Sequence, residues 1–332
     1  MDERYTTEDL VAWDRAHVWH PFTPMKPWVE GKDFLVIERG EGEFLFDTEG
    51  NKYIDGSSSI WCNVHGHHVA ELDAAVQGQL SKVAHSTLLG MGNVPSILLA
   101  RKLAELVRGC GMDLPRVFYS DDGSTAVEVA CKMAFQRKVA GSQKPVVSRF
   151  IAFENSYHGD TLGAVSLGGI ETFHGVFKPL CFATELVKVG EGSVGAIEKL
   201  LEARPGEFVA VVVEPLIQGA GGMVVHPAGM LRKLREVCDR HEVMLIADEV
   251  MTGFGRTGRM FACEHEGVTP DFLCLSKGLT GGYMPLGVTM TSQKVFDAFY
   301  ADPRKGKTFF HGHTFTGASA GVCDGAGVAG IV

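Results

Sequence analysis

A lysine and an aspartate follow two apolar runs of the sequence, and their types and positions suggest covalent chemistry. Lys277 comes after the run Phe272–Leu275 and before a glycine-rich turn, and Asp248 ends the run Val243–Ala247. A partly buried lysine can form a Schiff base with an aldehyde and then move protons. An aspartate can pair with the ring nitrogen of pyridoxal phosphate, which makes the ring a better electron sink. The alternatives are a surface lysine and an exposed acid at the end of a strand.

A polar loop between an apolar run and an amphipathic segment could bind the phosphate of such a cofactor. Gly123 and Ser124 lie where we predict that a helix starts, with Ser124 as its N-cap. The start of a helix attracts anions, and glycine allows a phosphate to approach the backbone closely. The alternative is an ordinary capped helix. Tyr157, which follows another apolar run, could lie against the cofactor ring or be an ordinary amphipathic tyrosine at the rim of a pocket.

Two further motifs do not fit the chemistry that their patterns suggest. Gly253–Gly258 matches the glycine pattern of dinucleotide-binding loops, but no uninterrupted apolar helix follows it. His65, His67 and His68 have no cysteine or carboxylate near them in the sequence at metal-ligand spacing, so we interpret them as turn and pocket residues and predict no metal site.

The composition is that of a globular enzyme. The chain has 332 residues, of which 45% are hydrophobic and 21% are charged, and its net charge of −9 argues against nucleic-acid binding. The apolar runs are too short to span a bilayer, and the start is too acidic for a targeting leader. The eight cysteines form no C-x-x-C pair, as expected of buried thiols in a reducing cytoplasm.

Apolar runs alternate with helical patterns through most of the chain, which predicts an α/β fold with a mostly parallel central sheet. A hairpin is predicted over residues 43–55, and a helix over residues 70–84 with Leu72, Ala75, Val76, Leu80 and Val83 on its apolar face. The other predicted helices are Ser96–Val107, Ser124–Arg137 and Met230–His241, and the predicted strands are Arg116–Tyr119, Phe150–Phe153, Phe208–Val213 and Val243–Ala247. Both Asp248 and Lys277 are expected at the carboxyl ends of strands, where such sheets bind ligands.

Taken together, these segments resemble class III pyridoxal phosphate-dependent aminotransferases. The most specific stretches are Ile246–Gly258 and Ser276-Lys277-Gly278, and the similarity runs from about residue 10 to Gly317. Val18–Met25, Ser58–His67 and Gln218–Met223 are similar to the branch of this family that belongs to biotin synthesis. The resemblance implies fold type I, with an N-terminal segment (1–65) that forms part of a small domain and a large cofactor-binding domain (66–317).

The resemblance also implies roles for individual residues. Lys277 would carry the cofactor, Asp248 would pair with its ring nitrogen, and Tyr157 would pack beside the ring and face the substrate. The implied phosphate contacts are Gly123, Ser124 and, in the neighbouring subunit of a homodimer, His313 and Thr314. The implied substrate contacts are Phe22, Trp61, Tyr157, Lys277 and Gly312.

In this branch of the family, S-adenosylmethionine donates an amino group to 8-amino-7-oxononanoate, so we expect a cytoplasmic enzyme with these small-molecule substrates. The alternatives are another class III ω-amino acid aminotransferase, an aminomutase, or a truncated cofactor-binding remnant with little activity.

The last residues depart from the family. Residues 318–332 are rich in glycine, and we expect them to form an aberrant, disordered tail in place of a helix and a small C-terminal domain with a carboxylate-binding arginine. One hypothesis is a frameshift, because another reading frame of these codons can encode an apolar helix typical of the family. Resequencing the gene across codon 317 would test it.

Overall fold

The protein forms two compact units in a computed structural model that describes residues 5–31, 34–140, 149–322 and 325. The units divide between Ala70 and Glu71, whereas the sequence suggested a division after residue 65. The helices are α1 Thr7–His17, α2 Met25–Glu30, α3 Ser58–Trp61, α4 Ala70–Leu80, α5 Val94–Gly109, α6 Gly123–Val139, α7 Leu162–Leu167, α8 Glu171–His174, α9 Ser193–Ala203, α10 Met230–Arg240 and α11 Gln293–Asp297. The strands are β1 Ile37–Glu41, β2 Phe44–Asp47, β3 Lys52–Ile54, β4 Arg116–Ser120, β5 Arg149–Phe153, β6 Thr184–Val187, β7 Phe208–Val213, β8 Ile217–Gln218, β9 Val224–Val225, β10 Met244–Asp248, β11 Phe272–Leu275 and β12 Gly287–Thr291.

The first unit contains an antiparallel sheet in the order β1-β2-β3. The predicted hairpin is confirmed, since β2 pairs with β3 from Phe44 opposite Ile54 to Phe46 opposite Lys52. Asp47 shapes the turn, because its Oδ1 accepts the N–H groups of Glu49 and Asn51 at 3.0 and 2.8 Å.

The second unit is built on a seven-stranded sheet in the order β4-β12-β11-β10-β7-β5-β6. Strand β10 is parallel to both β11 and β7, and β5 is parallel to both β7 and β6. Only β12 runs against its neighbours, because it pairs antiparallel with β11 and β4. The predicted α/β class with a mostly parallel sheet is therefore confirmed.

Apolar side chains cover both faces of this sheet. All six residues of β7 are buried, with Val211 and Val213 in one core cluster and Ala210 and Val212 in the other. The continuous apolar run of β7 follows from this, because a central strand covered on both faces has no solvent side. Among the described residues, no helix is both long enough and apolar enough to cross a bilayer.

The helix predicted over residues 70–84 is shorter than expected. It ends at Leu80, and Leu80 and Val83 are exposed, although Leu72 and Val76 are buried as predicted. Gln79, on the face predicted to be apolar, is buried, and its side chain donates to the carbonyl of Val83 just after the helix end at 2.8 Å.

Part of the predicted disordered tail is ordered. Residues 319–322 are helical, and Val322 is fully buried in the core. Valine and alanine side chains of this short stretch are apolar enough to pack, although glycines follow them. The remainder of residues 318–332 lies outside the described residues, apart from Ala318 and Gly325.

Candidate active site

The aspartate ends one strand and the lysine follows the next, at the carboxyl edge of the large sheet. Asp248 is the last residue of β10 and pairs in register with Cys274 of β11, and Lys277 follows β11 in a 3₁₀ turn. The prediction that both fall at this edge is confirmed. Lys277 has a left-handed φ of 42° and is half-buried between the buried residues Ser276 and Gly278. Such strain in a residue with a side chain is typical of functional sites.

A histidine binds the carboxylate of Asp248. The Nδ1 of His158 donates to Asp248 Oδ2 at 2.7 Å, and the N–H of Val250 donates to Oδ1 at 3.1 Å. The side chain of His158 is fully buried and that of Asp248 is 5% exposed. Burial alone would lower the pKa of His158, but the hydrogen bond and charge of Asp248 raise it above its usual value. His158 thus orients the Asp248 carboxylate, which could then accept the N–H of a protonated pyridine ring.

The cap of α6 differs from the prediction. The N-cap is Asp122, not Ser124, because the Asp122 carboxylate accepts the N–H of Thr125 at 2.8 Å and Thr125 Oγ1 accepts the N–H of Asp122 at 2.9 Å. The hydroxyl of Ser124 is therefore available for another partner, and it accepts the N–H of Asp160 at 3.3 Å.

Glycines allow very close packing around the start of α6. A Cβ on Gly123 would lie 2.6 Å from a methyl group of Val250, and a Cβ on Gly159 would lie 1.9 Å from the hydroxyl oxygen of Ser124. Gly159 also has a left-handed φ of 115°. The segments that carry Asp248, His158 and Ser124 are thus held against one another. The first turn of α6, whose geometry suits an anion, lies beside the end of β10.

Tyr157 is fixed from three sides. Its hydroxyl donates to Asp160 Oδ2 at 2.6 Å, its ring stacks on that of His174 with centroids 5.9 Å apart, and its N–H donates to Glu214 Oε1 at 3.0 Å. Burial, followed by the hydrogen bond to Asp160, raises the pKa of Tyr157, so the phenol is neutral at physiological pH. Burial likewise raises the pKa of Glu214, which also accepts the N–H of Gly219.

The segment with Gly312, His313 and Thr314 contacts the same helix start. The Nδ1 of His313 lies 2.9 Å from Asp121 Oδ2, one residue before the N-cap of α6. Gly312 and Thr314 are exposed. The segment 312–314 thus lies next to the start of α6 and exposes Thr314, which carries a hydroxyl group, to solvent.

Phe22 and Trp61 lie in the first unit, whereas the other predicted site residues lie in the second. Phe22 is exposed and Trp61 is half-buried, and their φ values of 53° and 66° are both left-handed.

The glycine motif at Gly253–Gly258 leads into a 3₁₀ turn, Ala262–Glu266, and not into an α-helix. The fully buried Glu249 holds this connection, because its carboxylate accepts the N–H groups of Ala262 and Cys263 at 2.6 and 2.8 Å. The interpretation that this is no dinucleotide loop is consistent with that local structure.

Sequence reasoning missed the roles of His158, Glu214 and Glu249. His158 stood beside Tyr157 in a segment already singled out, and a histidine after an apolar run is a signal for a polar partner. Its partner is 90 residues away in the chain, so only the fold identifies it.

Comparison with known proteins agrees with this geometry. The aminotransferase class-III family matches residues 27–322, five residues beyond the end of the resemblance seen in the sequence. A protein of Geobacter sulfurreducens named adenosylmethionine-8-amino-7-oxononanoate aminotransferase is 51% identical over 96% of this chain and 72% of its own length.

Two solved structures are similar over nearly the whole chain. The enzyme of the same name from Methanocaldococcus jannaschii has a TM-score of 0.92 and 45% identity, over 98% of this chain and 74% of that one. A PLP-bound amine transaminase from an uncultivated Pseudomonas species has a TM-score of 0.87 and 34% identity, over 95% and 74%. The chain spans 72% and 60% of the lengths of two curated relatives that it matches. This protein belongs to the class III aminotransferase family.

Proposed function

We propose that this protein transfers an amino group from S-adenosylmethionine to 8-amino-7-oxononanoate and so forms 7,8-diaminononanoate for biotin synthesis in the cytoplasm. The observation that carries the proposal is that the buried Asp248–His158 pair and Lys277 lie at the carboxyl ends of two adjacent parallel strands, β10 and β11. The names of the similar proteins from Geobacter sulfurreducens and Methanocaldococcus jannaschii support this choice of substrates.

The residues present fit pyridoxal phosphate. Gly123 brings the start of α6 against Val250, two residues after Asp248, and the buried Asp248 ends the strand next to the one that leads to Lys277. When bound, the cofactor supplies an electron sink for the bond broken at the substrate carbon. In this proposal the Lys277 amine holds the cofactor aldehyde and carries the proton between substrate atoms.

The other residues of the proposed site would position the cofactor and exclude water. Asp248, fixed by His158, would keep a proton on the ring nitrogen, and Gly123 and Ser124 would bind the phosphate through the start of α6. Tyr157 would offer a neutral phenol to the cofactor and restrict the entry of water.

We propose that the active form is a homodimer. Apolar side chains are exposed in and before the first turn of α5, and Leu89 is 87% exposed. The exposed members are Leu89, Met91, Val94, Ile97, Leu98 and, after Thr314, Phe315. A single chain rarely exposes so many neighbouring apolar side chains, and a second copy would cover them. In that dimer Thr314 and His313 would reach the phosphate of the neighbouring subunit, and Gly312 would lie by the substrate, together with Phe22 and Trp61.

Sedimentation at several protein concentrations tests the dimer. Wild-type protein should sediment as a dimer, and Ile97→Asp, in the exposed turn, should sediment as a monomer. Val176→Asp is the control, because Val176 is also apolar and is 79% exposed but lies away from the α5 turn and from residues 312–315 in the sequence. A wild-type monomer at all concentrations would contradict the proposal.

The visible absorption spectrum with and without S-adenosylmethionine tests the reaction. The purified protein should show a cofactor band that fades when S-adenosylmethionine is added, and Lys277→Ala should lack it. Lys188→Ala, which replaces an exposed lysine after β6, should behave as wild type. A band that fades only with ω-amino acids would instead support the second candidate, another class III aminotransferase. A band that no donor changes would indicate a cofactor-binding remnant.

A further inference from the structure

Four consecutive residues of the first unit, Ser58 to Trp61, have left-handed backbone conformations. Their φ values are 50°, 47°, 64° and 66°, and the ψ values of Ser59 and Ile60 are 53° and 55°. The N–H of Trp61 donates to the carbonyl of Ser57 at 2.8 Å, as in one turn of a left-handed α-helix. None of the four is glycine, although a Cβ strains this conformation and runs of it are rare. Contacts from outside must therefore stabilise this segment, the left-handed turn.

Asp55 holds the left-handed turn through two hydrogen bonds to Ser59. Asp55 Oδ1 accepts the N–H of Ser59 at 2.9 Å, and Oδ2 accepts the Ser59 hydroxyl at 2.8 Å. Oδ2 also lies 3.0 Å from Nε2 of His67. Burial would raise the pKa of Asp55, but these hydrogen bonds lower it below its usual value, so the carboxylate is ionised. The Ser57 hydroxyl also donates to Oδ1 at 3.4 Å, and an ionised carboxylate with four donors is a rigid anchor.

His67 is itself fixed to the sheet of the first unit. Its N–H donates to the carbonyl of Gly42 at 2.7 Å, and its carbonyl accepts the N–H of Gly42 at 3.1 Å. Its ring packs on Gly40, where a Cβ would lie 2.7 Å from the ring. The hydrogen bond between Asp55 and His67 therefore connects the left-handed turn to the hairpin β1–β2.

We propose that Asp55 and His67 are positioning residues that hold the left-handed turn and thereby fix the direction in which Trp61 is presented to the substrate. This inference rests on the proposed function, which assigns Trp61 to the substrate pocket. The argument is steric: a right-handed or extended backbone would send the Cα–Cβ bond of Trp61 elsewhere. Strain that persists because surrounding contacts over-determine it is characteristic of functional segments.

Fluorine NMR tests the proposal without relying on turnover. The whole chain with its cofactor is labelled with 5-fluorotryptophan, and the four tryptophan resonances are assigned with Trp→Phe variants. In Asp55→Asn, the resonance of Trp61 should shift or broaden while the other three stay, because the amide has one acceptor oxygen where the carboxylate uses two to hold Ser59 and His67. Asp9→Asn, which alters an exposed capping carboxylate of α1, is the matched control and should leave Trp61 unchanged.

The same Trp61 resonance also reports the binding of substrate. Titration with S-adenosylmethionine should shift the Trp61 signal of wild type, and the half-saturating concentration should rise at least tenfold in Asp55→Asn. An unchanged Trp61 resonance in Asp55→Asn would overturn the anchoring role. A changed resonance with unchanged saturation would overturn the role in presenting Trp61. If wild-type protein shows the cofactor band but does not respond to S-adenosylmethionine, the proposed donor is refuted, and so is the role of the turn in presenting Trp61 to that substrate. The comparison of the Trp61 resonance between wild type and Asp55→Asn without substrate still decides the anchoring role.

A second pair of variants covers the case in which Asp55→Asn does not fold. Ile60 is exposed, so Ile60→Ala and Ile60→Gly lose the same side-chain contacts. Glycine removes the strain and alanine keeps it, so the Tm of Ile60→Gly should exceed that of Ile60→Ala by about 2–4 °C. A lower Tm for the glycine variant would show that the turn is not strained and would overturn the proposal.

Discussion

Replacing His158 should destabilise the second unit in a way that reveals the charge of this residue. His158→Phe keeps a ring of similar size but removes the donor to Asp248 Oδ2, so a carboxylate that is 5% exposed loses its closest partner. Breaking a buried charged pair by removing one member costs about 3–5 kcal/mol. His158→Asn keeps a donor near the position of Nδ1, so it should cost less, mainly through the lost ring contacts.

The pH dependence gives the sharper test. The folded-state pKa of His158 is raised above the unfolded value, so its contribution to stability is fully present below about pH 6.5 and is lost as the pH rises through the folded value. The difference in unfolding free energy between wild type and His158→Phe should therefore be largest near pH 6 and shrink at higher pH.

His226 is a control, because its pKa is shifted in the opposite direction to that of His158. Burial lowers its pKa from 6.5 to about 4, which corresponds to about 3 kcal/mol at 1.36 kcal/mol per pKa unit. Its neutral form stabilises the fold above pH 6.5, and this contribution is lost as the pH falls toward 4. His226→Phe should thus gain stability relative to wild type at low pH, whereas His158→Phe should not.

The assay is urea unfolding followed by far-UV circular dichroism between pH 5 and 8. Tryptophan fluorescence is unsuitable, because all four tryptophans lie before residue 71 and report only the first unit. If His158→Phe costs less than about 1 kcal/mol at pH 6, or if its cost grows with pH, the charged Asp248–His158 pair is refuted.

Three further substitutions test other contacts. Gly123→Ala should weaken cofactor binding at least tenfold in an absorbance titration and lower stability by about 1–3 kcal/mol, because its Cβ would lie 2.6 Å from Val250 Cγ1. Gly109→Ala, where a Cβ meets nothing within 4 Å, should not. Glu249→Gln should lower the unfolding free energy by about 2–3 kcal/mol in the same urea assay, because an amide cannot accept from both Ala262 and Cys263 without facing one N–H with another. Tyr157→Phe should change Tm by less than 2 °C, since the Asp160 carboxylate is half-exposed and can bind water, but should slow the loss of the cofactor band with S-adenosylmethionine.

The parts of the fold that the sequence predicted are those that local pattern determines. Strands β7 and β10 are continuous apolar runs, and each was located to within one residue. Asp248 followed from β10, and Lys277 followed from the apolar run that forms β11, because the end of a parallel strand is where a ligand binds. The antiparallel direction of β12 was not predicted, since its pairing with β4 joins residues about 170 positions apart.

The errors come from choices between chemically similar residues. Asp122 and Ser124 are both good N-caps, and the hydroxyl of Thr125 decides between them by completing the capping box with Asp122. Leu80 and Val83 continue the apolar pattern of α4, but that helix ends at Leu80, where the Gln79 side chain donates to the carbonyl of Val83. At the start of α6, the capping box is a polar contact worth about 1 kcal/mol that the apolar pattern does not show.

The left-handed turn shows why part of a candidate site escapes sequence reasoning altogether. Glycine usually occupies left-handed backbone positions, and there is none among residues 58–61. The sequence therefore does not predict the left-handed conformation that is observed. The conformation depends on Asp55 and on His67, whose own position depends on Gly40 and Gly42 of the hairpin. Asp248 similarly depends on His158 from a distant segment. The reacting residues can thus be recognised by type and position, while the residues that orient them are recognisable only through contacts that the completed fold creates.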